Sequence, residues 1–366
     1  MRRLRASCHI PLLAACASPL WAAAADWQPS ATLVAIYQTT NQSQIDSETA
    51  VSANLFLRRR VDADEWLVHV EGATTPTDSG VSSQVPEANA IVGGALDMNG
   101  WGRVQLSELY HTRTPQAGQV FSIGYLDISS FFEQSRIASD ETSQFMGASF
   151  TGNPTIEFPD YTLGAVFEQT VQDGPVLRLG LTSSNGLANN PDRSYSHLLS
   201  VGNEGKGVFA VSSASWKNTA WLLRVGIWAN TADHEAIDGS GRGLRNNGSY
   251  LLAGYRQRRH ALNFRFGVAN EKVSRASAFT SLGYQFRLDQ YVLGAGAAHA
   301  FLSSREPDAS MGDTQHYEIY LRRDLSRRVF LTGDIQHVVS TNFGSSAALR
   351  GQGITIYGLR LTWLYE

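Results

Sequence analysis

The chain has 366 residues, of which 33 are Asp or Glu, 30 are Lys or Arg and 43% are hydrophobic. A net charge of −3 offers no basic excess for nucleic acid. Past the N-terminal segment no run of about 18 apolar residues occurs, which excludes a membrane-crossing helix but not a membrane barrel, whose strands carry only alternating hydrophobicity.

Residues 1–25 read as a secretory leader. Arg2, Arg3 and Arg5 form its basic end, residues 10–21 its apolar middle, and Ala23, Ala24 and Ala25 its cleavage site. Cys8 and Cys16 both fall inside it, so the mature chain has neither disulfides nor thiolates to use. Leu13-Ala14-Ala15-Cys16 also fits a lipoprotein cleavage box, the rival processing site. The leader contains three Arg and no acid, so the mature chain sets 27 basic residues against 33 acidic ones.

Residues 26–366 then repeat one unit: an alternating run, a short polar turn, a second run and a longer loop. Sixteen runs are expected, at 31–40, 51–61, 65–74, 102–113, 118–127, 161–170, 175–183, 206–216, 219–229, 248–257, 261–270, 276–287, 290–301, 314–323, 329–339 and 352–364. The links after even runs are short and most of those after odd runs are long, the asymmetry of turns on one side of a membrane and loops on the other. Within 104–109 the alternation breaks around Glu108, which predicts a bulge. The two faces of each run differ. Leu262, Phe264, Phe266 and Val268 oppose Asn263, Arg265 and Gly267, and Tyr357, Leu359, Leu361 and Trp363 oppose Gly358, Arg360 and Thr362. Charge on the second face fits a wet lumen inside a lipid-facing wall. Trp66, Trp101, Trp216, Tyr291, Trp363 and Tyr365 sit near run ends, where an interfacial girdle belongs. The expected fold is an all-β, 16-stranded antiparallel transmembrane barrel.

Residues 145–161 fill the middle of the longest connection. Three Phe and two Pro make this stretch apolar and too broken for a strand or helix. A long connection with its own hydrophobic content is usually functional, and this one is expected to fold inward and narrow the lumen opposite Arg58 and Arg60.

Three stretches resemble the carbohydrate-selective outer-membrane porin family (OprB type). They are residues 121–132, the Asn153-Pro154-Thr155-Ile156 and Phe158-Pro159 pieces followed by Gly164-Ala165-Val166, and a C-terminal set: Glu318-Ile319-Tyr320, Asp334-Ile335-Gln336 and Gly358-Leu359-Arg360-Leu361. The resemblance implies a sixteen-stranded, sugar-conducting channel lined by arginines, acids and aromatics. Against the family pattern the chain is short, and it ends in Glu366 behind Tyr365.

Alternation places Arg58, Arg60, Arg178, Arg224, Arg265 and Arg360 on the inner face, with the acids Glu71, Glu168, Glu318 and Asp334. Guanidinium groups offer paired donors and carboxylates paired acceptors to vicinal hydroxyls. The plainer role of each arginine is to solvate the wall or pair with an acid. Phe145, Phe150 and Phe158 either stack on sugar rings or anchor the loop, with Asn153, Pro154 and Pro159 shaping its turns. No GxSxG or HExxH motif and no phosphate-cradling loop occurs. Neither His316 and His337 on neighbouring strands nor Asp233-His234-Glu235 in a loop makes a catalytic or metal set. The expectation is a cofactor-free, metal-free, non-enzymatic porin in the outer membrane of a Gram-negative-type bacterium. It would pass small solutes, above all sugars, by facilitated diffusion, in contact with outer-membrane lipid and with no nucleic-acid partner. A general or anion-leaning porin is the alternative, ahead of a barrel enzyme, and both a monomer and a homo-oligomer stay open.

Overall fold

A computed structural model describes residues 27–91, 102–159, 161–184, 207–308, 310–339, 349 and 351–366. The expected leader at residues 1–25, with Cys8 and Cys16, and the girdle candidate Trp101 lie outside the described residues. Sixteen strands pair antiparallel with their sequence neighbours, and β1 pairs with β16 to close a barrel. They are β1 Trp27–Thr40, β2 Glu48–Val61, β3 Asp64–Ala73, β4 Arg103–Gln116, β5 Gln119–Leu126, β6 Thr162–Thr170, β7 Val176–Ser183, β8 Val208–Lys217, β9 Trp221–Glu235, β10 Gly243–Gln257, β11 His260–Ala269, β12 Ala276–Leu288, β13 Tyr291–Leu302, β14 Thr314–Asp324, β15 Val329–Val339 and β16 Gly353–Tyr365. Closure leaves no unpaired edge, the condition for a sheet to cross lipid.

Most strand ends fall within two residues of the alternating runs. The main exceptions are β9 and β10, which continue past their apolar stretch to Glu235 and back from Gly243, with a bulge between Leu244 and Asn246. Hydrophobic alternation marks only the apolar stretch of a strand, so a polar extension of the hairpin carries no such signal. The predicted bulge in β4 is present: His69 pairs with Glu108 while the adjacent Val70 pairs with Leu106. The extra residue, Ser107, lets Glu108 face inward.

Leu55, Leu181, Ile227, Leu282, Ile319 and Leu359 stand exposed on the outer wall, the pattern of a membrane barrel. Trp66, Trp216, Trp221 and Tyr291 sit on that wall beside the short turns, level with Trp363 and Tyr365 at the chain end. The apolar core lies inside the barrel. Leu126, Ile128, Phe132 and Ile156 pack on Val166, Phe209, Val211 and Trp228. Ile137, Phe145 and Phe150 pack on Phe279, Val292, Ala298 and Tyr320. Each such ring contributes about 1.5–3 kcal/mol of burial, and all of them join a loop to the inner wall.

Candidate functional site: a lumen narrowed by two loops

The β5–β6 connection, residues 127–161, enters the barrel and is fastened to its wall along most of its length. Arg265 on β11 is wholly buried beneath it. Its Nε donates to Glu133 Oε1 at 2.8 Å, its Nη1 to the Phe150 carbonyl at 2.7 Å, and its Nη2 to the Ala138 carbonyl and to Ser139 Oγ at 3.0 Å. Neighbouring strands repeat the device. Arg178 and Arg224 donate to the Phe131 and Phe132 carbonyls at 3.0 and 2.6 Å. Arg322 donates to the Ser143 carbonyl at 2.7 Å, and Arg360 to the Gln144 carbonyl at 2.7 Å and to that of Glu141. Glu318 works with the opposite polarity, accepting the Met146 and Gly147 amides at 2.8 and 2.9 Å. Irregular backbone inside a barrel carries polar groups that must find partners, and here the wall supplies them.

Wall glycines make room for the loop rings. Gly283 and Gly296 pair across β12 and β13. A Cβ at Gly296 would lie 2.6 Å from Phe150 and 2.9 Å from Phe145, and one at Gly283 3.1 Å from Phe145. Phe145 and Phe150 stack at 4.8 Å in this recess, and Tyr320 meets Phe145 edge-on at 5.1 Å. A Cβ at Gly180 would collide with Ile128 and Phe132 in the same way.

The β3–β4 connection, described as far as residue 91, also folds inward, which the sequence reading did not anticipate. Val81, Val85 and Ala88 are fully buried against Ile45, Val338, Ile354 and Ile356. The Ala88 carbonyl accepts from Gln38 and Gln336, each at 3.0 Å, and the Ala90 amide bonds the Met146 carbonyl at 2.9 Å. The two loops therefore support each other.

What they leave open is a cavity of about 1010 Å³ between the loops and the inner face of β2–β4. Glu71, Glu87, Glu108, Asp127, Glu133, Asp140 and Glu141 line it, and no Arg or Lys does among the described residues. Phe56, His69 and Glu108 sit side by side in one row across β2, β3 and β4. Glu71 accepts from Tyr161 OH at 2.5 Å and from Ser107 Oγ at 2.8 Å, and pairs with Arg103.

A sequence profile of the carbohydrate-selective porin family, OprB, matches residues 67–290, more than half of the chain. The chain belongs to this family. Among solved structures the porin resembles Pseudomonas putida OprB at high pH, with a TM-score of 0.72 and 11% identity over 93% of this chain and 94% of that one. It also resembles a multiply substituted Rh. blastica porin (TM-score 0.56, 11% identity, 93% and 100% covered) and a loop-deleted OmpT of Vibrio cholerae (0.56, 10%, 93% and 99%). A search of curated protein sequences finds no match. Family and fold are those of a Gram-negative outer-membrane sugar porin, a channel.

The porin's inward residues divide by wall. Arg58 and Arg60 lie beside the 62–63 turn, each paired with Glu65, and do not line the cavity. Glu71 lines it. Glu168 pairs with Arg178. Arg178, Arg224, Arg265, Glu318 and Arg360 all hold the long loop, and Asp334 accepts from Gln336 at 2.7 Å. Phe145 and Phe150 are buried, with no face left for a solute, whereas half-buried Phe158 packs on Phe209 at 5.6 Å and lines the cavity. Asn153 Oδ1 accepts the Thr155 amide at 3.1 Å and its hydroxyl at 2.7 Å, the side chain of a turn former. Pro154 is exposed at the cavity edge, and Pro159 is buried. Glu133, Arg322, Phe56 and His69 were missed, although period-two alternation from Glu65 and from Arg58 would have placed His69 and Phe56 inside.

Glu141 on the long loop has its carboxyl pushed up to about 7, chiefly by burial, with Asp140 and Glu71 adding to the rise and Arg360 opposing it. A proton held by the folded loop stabilises it fully below the ordinary value of 4.5, and that stabilisation is lost as pH rises through about 7. Deprotonation also adds a negative charge to the lumen. The potassium-to-chloride permeability ratio, read from reversal potentials, is therefore expected to climb between mildly acidic and mildly alkaline pH with a midpoint near pH 7. Glu141→Gln should flatten the curve, whereas a flat wild-type profile would contradict this assignment.

Proposed function

We propose that this porin passes small carbohydrates passively through the slot between the β2–β4 wall and the two inward loops, after export on a leader removed behind Ala25. The observation that carries this reading is the fastening of the 127–161 loop by buried arginines, which sets a fixed aperture lined by hydrogen-bond acceptors. Sugar hydroxyls are donors, and a carboxylate is an acceptor only, so the lining matches the solute without any energy source. An anion-leaning channel, which inward arginines alone would suit, gains no support, because Arg178, Arg224, Arg265 and Arg360 donate to loop carbonyls and Arg58 and Arg60 pair with Glu65 instead of facing the slot.

Liposome swelling tests the reading. Monosaccharides are expected to enter faster than zwitterionic amino acids of equal size. Equal rates for all solutes of one size would leave a general porin. The mass of the purified chain should correspond to a first residue at Asp26, and retention of a lipidated Cys16 would contradict the leader assignment.

A further inference from the structure

The β2–β4 wall faces the loops across the cavity and contains one feature that fastening the loop does not explain. Phe56 is an aromatic ring on an inner face that otherwise reads Glu48, Ala50, Ser52, Asn54, Arg58 and Arg60. It stacks on His69 at 4.1 Å with an interplanar angle of 16°. His69 is in turn held rigidly. One ring nitrogen, Nε2, meets Asn54 Oδ1 at 2.9 Å, the other, Nδ1, meets Glu108 Oε2 at 3.2 Å, and Tyr161 presents its edge at 6.2 Å. Glu108 is itself fixed by the Asp127 amide, which donates to Oε1 at 3.2 Å. Phe56 is thus a ring mounted on a locked stack, half-exposed and lining the cavity.

We propose that Phe56, with the carboxylates of Glu71, Glu108 and Asp127 around it, is a binding station for an uncharged or amino-substituted pyranose that rejects sugars carrying a carboxylate or phosphate. The inference rests on the sugar-channel reading and deepens it. A pyranose has an apolar C–H face that lies flat on an aromatic ring. Its rim of hydroxyls donates to carboxylates, and a charge-assisted bond of that kind is about twice as strong as a neutral one. An ammonium substituent would gain further from the same groups. An anionic sugar would enter a slot lined by seven acidic side chains, two of which, Glu71 and Glu133, pair with Arg103 and Arg265, and by no Arg or Lys among the described residues, where low-dielectric walls concentrate the field. Holding His69 through both nitrogens pre-organises the platform, so little ordering is left for the solute to induce.

Sugar-induced block of single-channel current tests the station, with glucose, glucosamine and glucuronate as probes. Wild type is expected to be blocked by glucosamine at least as readily as by glucose, and by glucuronate weakly. Phe56→Leu should raise the half-blocking glucose concentration about tenfold, while Phe56→Trp should restore block. Glu108→Gln should narrow the gap between glucosamine and glucuronate. Open-channel conductance and the β-sheet circular dichroism signal report that each variant folds. If Phe56→Leu folds and blocks like wild type, the station is overturned. It is overturned too if glucuronate blocks best. If no sugar blocks the wild-type channel while sugars still outpace amino acids in swelling, the station falls and the sugar channel stands. Failure of both measurements overturns both.

Discussion

Replacing Arg265 by Leu is expected to raise single-channel conductance several-fold and to erase the preference for sugars over other solutes of equal size. Arg265 is the most heavily used side chain under the loop, with Glu133, two main-chain carbonyls and a hydroxyl within 3.0 Å. Burial already pushes the Glu133 carboxyl above its usual range, and Arg265 is the main group opposing that rise. Without the guanidinium, a buried acid and several carbonyls lose their donor. Breaking a buried ion pair in this way costs about 3–5 kcal/mol. The barrel does not share the loss, because the backbone ladders from β10 to β11 and from β11 to β12 bypass the Arg265 side chain. The strain falls on the loop, which undocks. Planar-bilayer recording checks this, and Arg265→Lys should recover only part of the wild-type behaviour, since one ammonium cannot span the same fan of acceptors.

Gly296→Leu is expected to displace the loop by a steric route, with no charge change. A side chain there meets Phe150 and Phe145 at distances no packing tolerates, and the space over Gly283 directly opposite is already filled by Phe145. Overpacking of this kind costs about 1–3 kcal/mol. The stack of Phe145 on Phe150 must leave the wall, and with it the segment between Arg136 and Asn153. Limited trypsin digestion should then cut at Arg136, whose guanidinium in the wild type donates to the carbonyls of Asn218 and Thr219 at 2.8 Å. Gly296→Ala should fall between the two. Wild-type resistance to trypsin in a folded Gly296→Leu porin would contradict the proposed packing.

The barrel was legible because period-two alternation is a local property of the chain. Leu262 to Val268 declare their outer face whatever lies inside, and the break around Glu108 marked a bulge that the register shows. The inward loop was legible in part, from its Phe and Pro content. Which inward charges the loop covers was not. Arg58 and Arg265 look alike along the chain, yet one pairs with Glu65 beside a turn and the other lies wholly buried under 127–161. That difference depends on where a loop crosses the lumen, a long-range fact with no local period. The second inward loop left a faint trace. Val81, Val85 and Ala88 recur at helical spacing, and only their packing on Val338, Ile354 and Ile356 gives the spacing meaning.

Residues 127–161 set the aperture. The most direct measurement is the conductance and solute size limit of a porin in which residues 129–158 are replaced by a short glycine link. All sixteen strand pairings, including the β5–β6 pair at the base of the loop, lie outside the excised segment. The channel should still fold, conduct several-fold more current and admit oligosaccharides that the wild type excludes. A folded variant with wild-type conductance and size limit would contradict an aperture set by this loop.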